Sequence, residues 1–179
     1  LLKHDLKHAP FTFVGSEKYV SERMTVHTPS GDFQTRIGGI IDRLDSKDGT
    51  LRIVDYKTGG KPDTPPNVAS LFIPDKKRSG YVFQTFLYAA IVSRKQDMKV
   101  APALLYIHKA ASDDYSPVIT LKEPHKEASQ VTDYSLFETE FRECLESLLD
   151  EIFHPEVDFT QTEIEDHCVH CDFKALCRR

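Results

Sequence analysis

Two aspartates and a lysine stand where a hairpin would bring them together. Asp42 lies in Gly39-Ile40-Ile41-Asp42-Arg43-Leu44-Asp45, and nine residues further on begins Asp55-Tyr56-Lys57-Thr58-Gly59. Between them, Asp48-Gly49 is a dipeptide favoured in two-residue type I′ hairpin turns, where both central residues need positive φ. With that turn at the tip, Lys47 pairs with Thr50 and paired residue numbers sum to 97, so Asp42 falls opposite Asp55. Directly opposed residues have Cβ atoms about 5 Å apart, and like charges so placed repel unless something neutralises them. Lys57 follows Asp55 by two and shares its face, whereas Tyr56 points the other way.

Two carboxylates and an ammonium on one face form a site for a hard divalent cation. Mg²⁺ prefers oxygen ligands and is typically held by one or two carboxylates together with waters and a substrate phosphate. Such an ion lowers the pKa of a bound water and offsets charge developing at phosphorus, and a nearby lysine can orient that water. The plainer reading is a charge ladder on a surface hairpin. The neighbours Ile40, Ile41, Leu44, Ile53 and Val54 are apolar on both faces, the pattern of a covered strand.

The elements that must position these groups can be read on either side. Thr12 to Lys57 reads as an antiparallel meander, with runs at Tyr19–His27, Phe33–Leu44 and Thr50–Lys57 and turn residues at Pro29-Ser30-Gly31-Asp32. Gly59 to Gly80, broken by Pro62, Pro65, Pro66 and Pro74, reads as a long loop. Its end, Lys76-Lys77-Arg78, is a candidate for phosphate contact or simply a solvated charge run. Ser79 to Lys95 has helical spacing, with Ser79 as N-cap and Val82, Phe83, Phe86, Leu87, Ala90 and Ile91 on an apolar face. Ala101–Lys109 and Tyr115–Leu121 read as strands. Asp133–Phe153 is a strongly amphipathic helix carrying Phe137, Phe141, Leu145, Leu148, Leu149 and Ile152 on one stripe. The sequence therefore predicts one α/β (α+β) domain.

Four cysteines remain, three of them in the tail as Cys168-x2-Cys171-x5-Cys177. The chain opens on Leu1-Leu2-Lys3-His4 with neither an initiator Met nor a secretory signal pattern, as an excised domain would. Without that signal the expectation is a cytoplasmic protein whose cysteines are reduced thiols or metal ligands rather than a disulfide framework. Zinc held by the three tail cysteines with His167 or His170 is one option. Cys144, beside Leu145, reads as a buried structural thiol.

The 179 residues carry 23 Lys and Arg against 28 Asp and Glu, a net charge of −5. That total speaks against a uniformly basic nucleic-acid binder, and no apolar run is long enough to span a membrane. The total conceals an asymmetry. Residues 1–109 have 17 basic and 11 acidic side chains, a balance of +6, while residues 110–179 have 6 and 17, a balance of −11.

Taken together, Gly39-x-x-Asp42-Arg43-Leu44-Asp45, Asp55-Tyr56-Lys57-Thr58-Gly59 and Gln84-x3-Tyr88 resemble the RecB-like (AddB-type) nuclease branch of the PD-(D/E)XK superfamily, over roughly residues 33–90. The resemblance implies a restriction-endonuclease-like core over residues 1–179: a central mixed sheet with an antiparallel meander, flanked by helices. It further implies that this domain is the C-terminal part of a longer protein. The implied activity is Mg²⁺- or Mn²⁺-dependent hydrolysis of DNA, as an exonuclease in end processing or repair beside a helicase subunit or domain. By the same resemblance Asp42 and Asp55 are the metal carboxylates, and the Tyr56 backbone carbonyl is a further ligand. Lys57 is the catalytic lysine, while Gln84 and Tyr88, one helical turn apart, organise the site and the DNA backbone.

The tail resembles that of AddB-type and CRISPR-associated relatives, which implies a [4Fe–4S] cluster on Cys168, Cys171 and Cys177 in the longer parent. Such a cluster takes four thiolates and the tail supplies three. The family also tends to place an upstream histidine at the metal, and His4 and His8 lie in the right region without that motif around them. Two other readings stay open: an inactive DNA-binding or assembly module of a helicase–nuclease complex, and a sequence-specific restriction-type endonuclease.

Overall fold

The computed structural model describes residues 1–178. A short helix α1 (Leu2–His8) leads into a meander of β1 (Thr12–Val26), β2 (Phe33–Lys47) and β3 (Thr50–Lys57). Helix α2 (Gly80–Ser93) then crosses to β4 (Lys99–Tyr106). Two-residue strands β5 (Thr120–Leu121) and β6 (Ser129–Gln130) and the helix α3 (Glu138–Ile152) complete the order. The main sheet runs β1-β2-β3-β4, antiparallel until β3 and β4 pair in parallel. Parallel neighbours need a long crossover, and the loop with α2 supplies it.

The predicted hairpin forms with the predicted register. Asp48 and Gly49 hold φ of 49° and 76°, as a type I′ turn requires. Pairing runs from Lys47↔Thr50 to Arg43↔Val54, every pair on the expected sum. Ile41, Leu44, Ile53 and Val54 are buried, but Ile40 is half-exposed, so cover on both faces begins only at Ile41. Strict alternation fails just there, because Ile37, Ile41 and Leu44 all pack into one core. Across the ladder, between the pairs Lys18↔Ile41 and Ser16↔Arg43, Glu17 sits at φ 49°, a conformation uncommon for a side chain with a Cβ.

The core fills the space between one sheet face and the helices. Helix α2 buries eight of its residues, including Val82, Phe86, Tyr88 and Ile91, which marks it as an interior helix rather than a surface one. Phe86 meets Tyr134, Phe137 and Phe141 edge-on or tilted at 5.6–6.2 Å between centroids. Helix α3 contributes Phe141, Leu145 and Leu149 from its apolar stripe.

Some boundaries differ from the sequence reading. Ser79 precedes α2 but its hydroxyl makes no capping bond. The Asp133–Phe153 helix begins as a 3-10 turn at Tyr134–Leu136, capped by the Asp133 carboxylate, before α3 starts. Tyr115–Leu121 is not a full strand: Val118 bridges Ala103, and Thr120–Leu121 pairs with β6. Instead, the Tyr115 hydroxyl accepts from the Tyr106 N–H and donates to the Leu104 carbonyl, which pins this segment beside β4. The Gly59–Gly80 stretch contains a 3-10 turn, Ala69–Leu71, and buries Val68 and Leu71 in the core. No helix among the described residues is long and apolar enough to cross a membrane.

Candidate active site

β2 and β3 carry Asp42, Asp55 and Lys57 to the sheet face that α2 covers. The β2–β3 ladder stops one pair short of Asp42, whose Oδ2 accepts the Tyr56 N–H at 2.7 Å. Lys57 Nζ lies 2.6 Å from Asp55 Oδ2, 3.2 Å from Gln84 Oε1 and 4.1 Å from the centre of the Tyr81 ring. Gln84 in turn donates from Nε2 to the Tyr88 hydroxyl at 3.0 Å. Tyr81, Gln84 and Tyr88 are spaced by three and four, so one stripe of α2 faces the site. The structure thus brings Asp55, Lys57, Gln84 and Tyr88 into one connected chain, with Asp42 on the neighbouring strand.

Gly39 explains part of this packing. A Cβ at that position would lie 2.7 Å from the Tyr88 hydroxyl and 2.9 Å from its ring, closer than real contacts allow. Glycine there lets Tyr88 press against β2 and reach Gln84.

The electrostatics of Asp55 differ from those of an ordinary ion pair. Its side chain is almost fully buried, and Oδ2 is held against the Lys57 ammonium at 2.6 Å. Burial pushes its carboxyl above the ordinary value; Lys57 works against that, and the Asp42 charge adds to it. Two neighbouring carboxylates, one of them buried, set against a single ammonium form a position at which a further cation would relieve a cost. The donors are hard oxygens, which suit Mg²⁺ or Mn²⁺. Among the described residues no group of three or more His, Cys, Asp or Glu is placed to hold a metal. Two carboxylates are what the side chains supply, and an ion there would need backbone, water and phosphate oxygens as well.

His4 and His8 are not part of this site. Both sit on the side of the sheet covered by α1, with Arg43, Asp45 and Arg52, which lie one or three residues from Asp42 or Asp55 along their strands and therefore face away from the site. Lys76 pairs with Asp166 of the tail, while Lys77 and Arg78 are exposed. The tail cysteines do not converge: all four thiols are free, and the three in the tail fall in no metal-holding group among the described residues. Cys144 is partly buried, with its thiol pKa raised by burial first and by Glu140 and Glu143 next. Tyr81, over Lys57, was not singled out in the sequence, although its place three residues before Gln84 was the available signal.

A mixed four-stranded sheet with flanking helices and a carboxylate–lysine site near its end defines a restriction-endonuclease-like fold. The sequence model of the PD-(D/E)XK nuclease superfamily matches residues 1–178, and the chain belongs to that superfamily, whose members are nucleases. No curated protein matches the sequence.

Proposed function

We propose that the chain is a Mg²⁺- or Mn²⁺-dependent deoxyribonuclease of the RecB-like, AddB-type branch. In this reading it acts at DNA ends as an exonuclease beside a helicase, in the cytoplasm. The observation that carries the nuclease reading is Asp55: a buried carboxylate one strand from Asp42 and 2.6 Å from Lys57. The branch and the helicase partner rest on the motif resemblance.

Asp42 and Asp55, with the Tyr56 backbone carbonyl, are the residues that would hold the ion. When bound, a divalent ion supplies a nucleophile at neutral pH and compensates charge at the phosphate. Lys57 places an ammonium where negative charge develops, and Gln84 holds its Nζ by a hydrogen bond. Tyr88 fixes the Gln84 amide, and Tyr81 gives the ammonium an aromatic face, so Lys57 is oriented from several directions.

The test is cleavage of labelled linear DNA in Mg²⁺ or Mn²⁺. The wild-type protein degrades it, and Lys57→Ala lowers the rate by roughly 100-fold or more, the scale of losing one preorganised electrostatic group. Equal rates in the two proteins, or no cleavage by either, would overturn the assignment; the second result would favour an inactive DNA-binding module. Discrete fragments from circular DNA would identify a restriction-type enzyme instead.

A further inference from the structure

Antiparallel pairing of β2 with β3 ends at Arg43↔Val54, so the ladder does not hold the two strands together at the height of Asp42 and Asp55. Among the described residues, two side-chain bonds span the strands there instead. On the site face, Asp42 Oδ2 accepts the Tyr56 N–H at 2.7 Å. On the opposite face, Arg43 Nη1 donates to the Tyr56 hydroxyl at 3.3 Å. A metal would affect these bonds differently. The carboxylate in the first is itself a proposed ligand, so an ion competes with the N–H for its charge. The second uses no atom that the ion would take.

Arg43 is fixed from three sides. Its Nη1 meets both oxygens of Asp5 on α1 at 2.9 and 3.1 Å, and its Nε lies 2.8 Å from Asp45 Oδ2. The guanidinium also stands 4.8 Å from the centre of the Phe11 ring. A guanidinium is a rigid planar fork, so a buried one held by two carboxylates and a ring has little freedom left. Tyr56 packs in turn against the small cluster of Val54, Ala103, Leu105 and Ala110. A stiff link therefore joins α1, β2 and β3 directly behind the carboxylate pair.

We propose that this brace sets the gap between Asp42 and Asp55 and so makes the site select a small divalent cation over a large one. Mg²⁺ demands near-octahedral oxygens at about 2.0–2.1 Å, whereas Ca²⁺ takes more ligands at about 2.3–2.6 Å in a flexible cage. Carboxylates that cannot move apart favour the smaller ion; carboxylates free to spread admit the larger. Arg43 and the Tyr56 hydroxyl are positioning residues. Neither touches the ion, and both act through the Tyr56 peptide, whose N–H holds Asp42 and whose carbonyl is the further proposed ligand. The inference rests on the reading of Asp42 and Asp55 as metal carboxylates and adds to it what decides the choice of ion.

The experiment is titration calorimetry of the full chain with Mg²⁺ and, separately, with Ca²⁺, in the absence of DNA. Tyr56→Phe removes the hydroxyl and keeps the ring. Its Mg²⁺ affinity falls about 10-fold, the scale of losing an outer partner of a metal ligand, while its Ca²⁺ affinity holds or rises. The ratio of the two affinities is the readout, because a general loss of packing weakens both ions alike. Asp5→Ala frees Arg43 from α1 without altering β2 or β3, so it shifts the ratio in the same direction. It adds nothing in the Tyr56→Phe background, since both substitutions cut one link. In EDTA, Tyr56→Phe keeps the wild-type circular dichroism spectrum and melts within a few degrees of it. An unchanged affinity ratio in Tyr56→Phe, or additive shifts in the double variant, would overturn the brace and leave the metal site standing. A wild type that binds neither ion would overturn the carboxylate assignment and the brace with it.

Discussion

On the face of the β2–β3 hairpin covered by α1, Asp45 has no exposed surface and both its oxygens are bonded. Arg52 reaches it through Nε at 2.9 Å and Nη2 at 2.8 Å, Arg43 Nε lies 2.8 Å away, and His8 Nε2 is at 3.8 Å. Arg43 also reaches Asp5 of α1 and the Tyr56 hydroxyl. On the opposite face Asp55 is buried almost as deeply, yet a single lysine stands against two carboxylates. The same residue type, on the same two strands, meets two guanidinium groups on one side and one ammonium shared with a second carboxylate on the other. Paired charges hold α1 to the sheet; the carboxylate pair with one ammonium is poised for a cation and a phosphate.

Substitutions can break this contrast, beginning with the covered side. Asp45→Ala strips the carboxylate from buried Arg52 and takes one of two from Arg43, which keeps Asp5, and should cost about 3–5 kcal/mol of stability, or roughly 10 °C in Tm. Asp55→Asn is the mirror experiment. It removes a charge whose ionisation burial disfavours but takes a partner from Lys57, so without metal its stability should stay within about 1 kcal/mol of wild type. Mg²⁺ should raise the wild-type Tm by mass action, by about 2.7 kcal/mol at a hundredfold excess over Kd, and EDTA should reverse it. The Asp55→Asn protein should show no such rise. Thermal melts of the three proteins with and without Mg²⁺ decide both points.

A smaller effect sharpens the open side. Gly39→Ala forces the Tyr88 ring away and breaks its bond with Gln84, and kcat should fall about tenfold while binding of DNA in EDTA is kept. Equal losses in both would show that Gly39 serves packing alone.

The smallest effect concerns pH. Burial first, then the Arg52 charge, holds His4 and His8 below the ordinary value of 6.5. Asp5, Arg43 and the N-terminal ammonium also act on His4, and Asp45, Lys47 and His4 on His8. The folded state favours neutral imidazole, so the unfolded chain binds more protons as pH drops through 6.5. Stability should therefore fall below that pH, by a few degrees in Tm, and be level above it. His4→Gln and His8→Gln should each flatten the acid-side slope of Tm against pH.

Local chemistry made the hairpin readable, since Asp48-Gly49 dictates both the turn and the register that aligns Asp42 with Asp55. The helical spacing of Gln84 and Tyr88 was equally legible. What escaped depends on contacts distant in sequence. Helix α1 has only seven residues, too few for a periodic signal, and it is held by Asp5 and the backbone of His8 to Arg43 and Lys47 on β2. The parallel β3–β4 pairing leaves no local mark, so the nearness of Tyr106 to Lys57 could not be read in advance. Nor did alternation reveal which face was open, because Ile41 and Leu44 are both buried in one core although they are three residues apart, while Ile40 is half-exposed.

The most direct test of the contrast is a Mn²⁺ titration followed by electron paramagnetic resonance, comparing wild type with Asp55→Asn and Asp42→Asn. We expect one saturable site in the wild type that is lost in either variant, with the circular dichroism spectrum unchanged. Mn²⁺ bound with the same affinity by all three proteins, or by none, would contradict the assignment of the open face as a metal site.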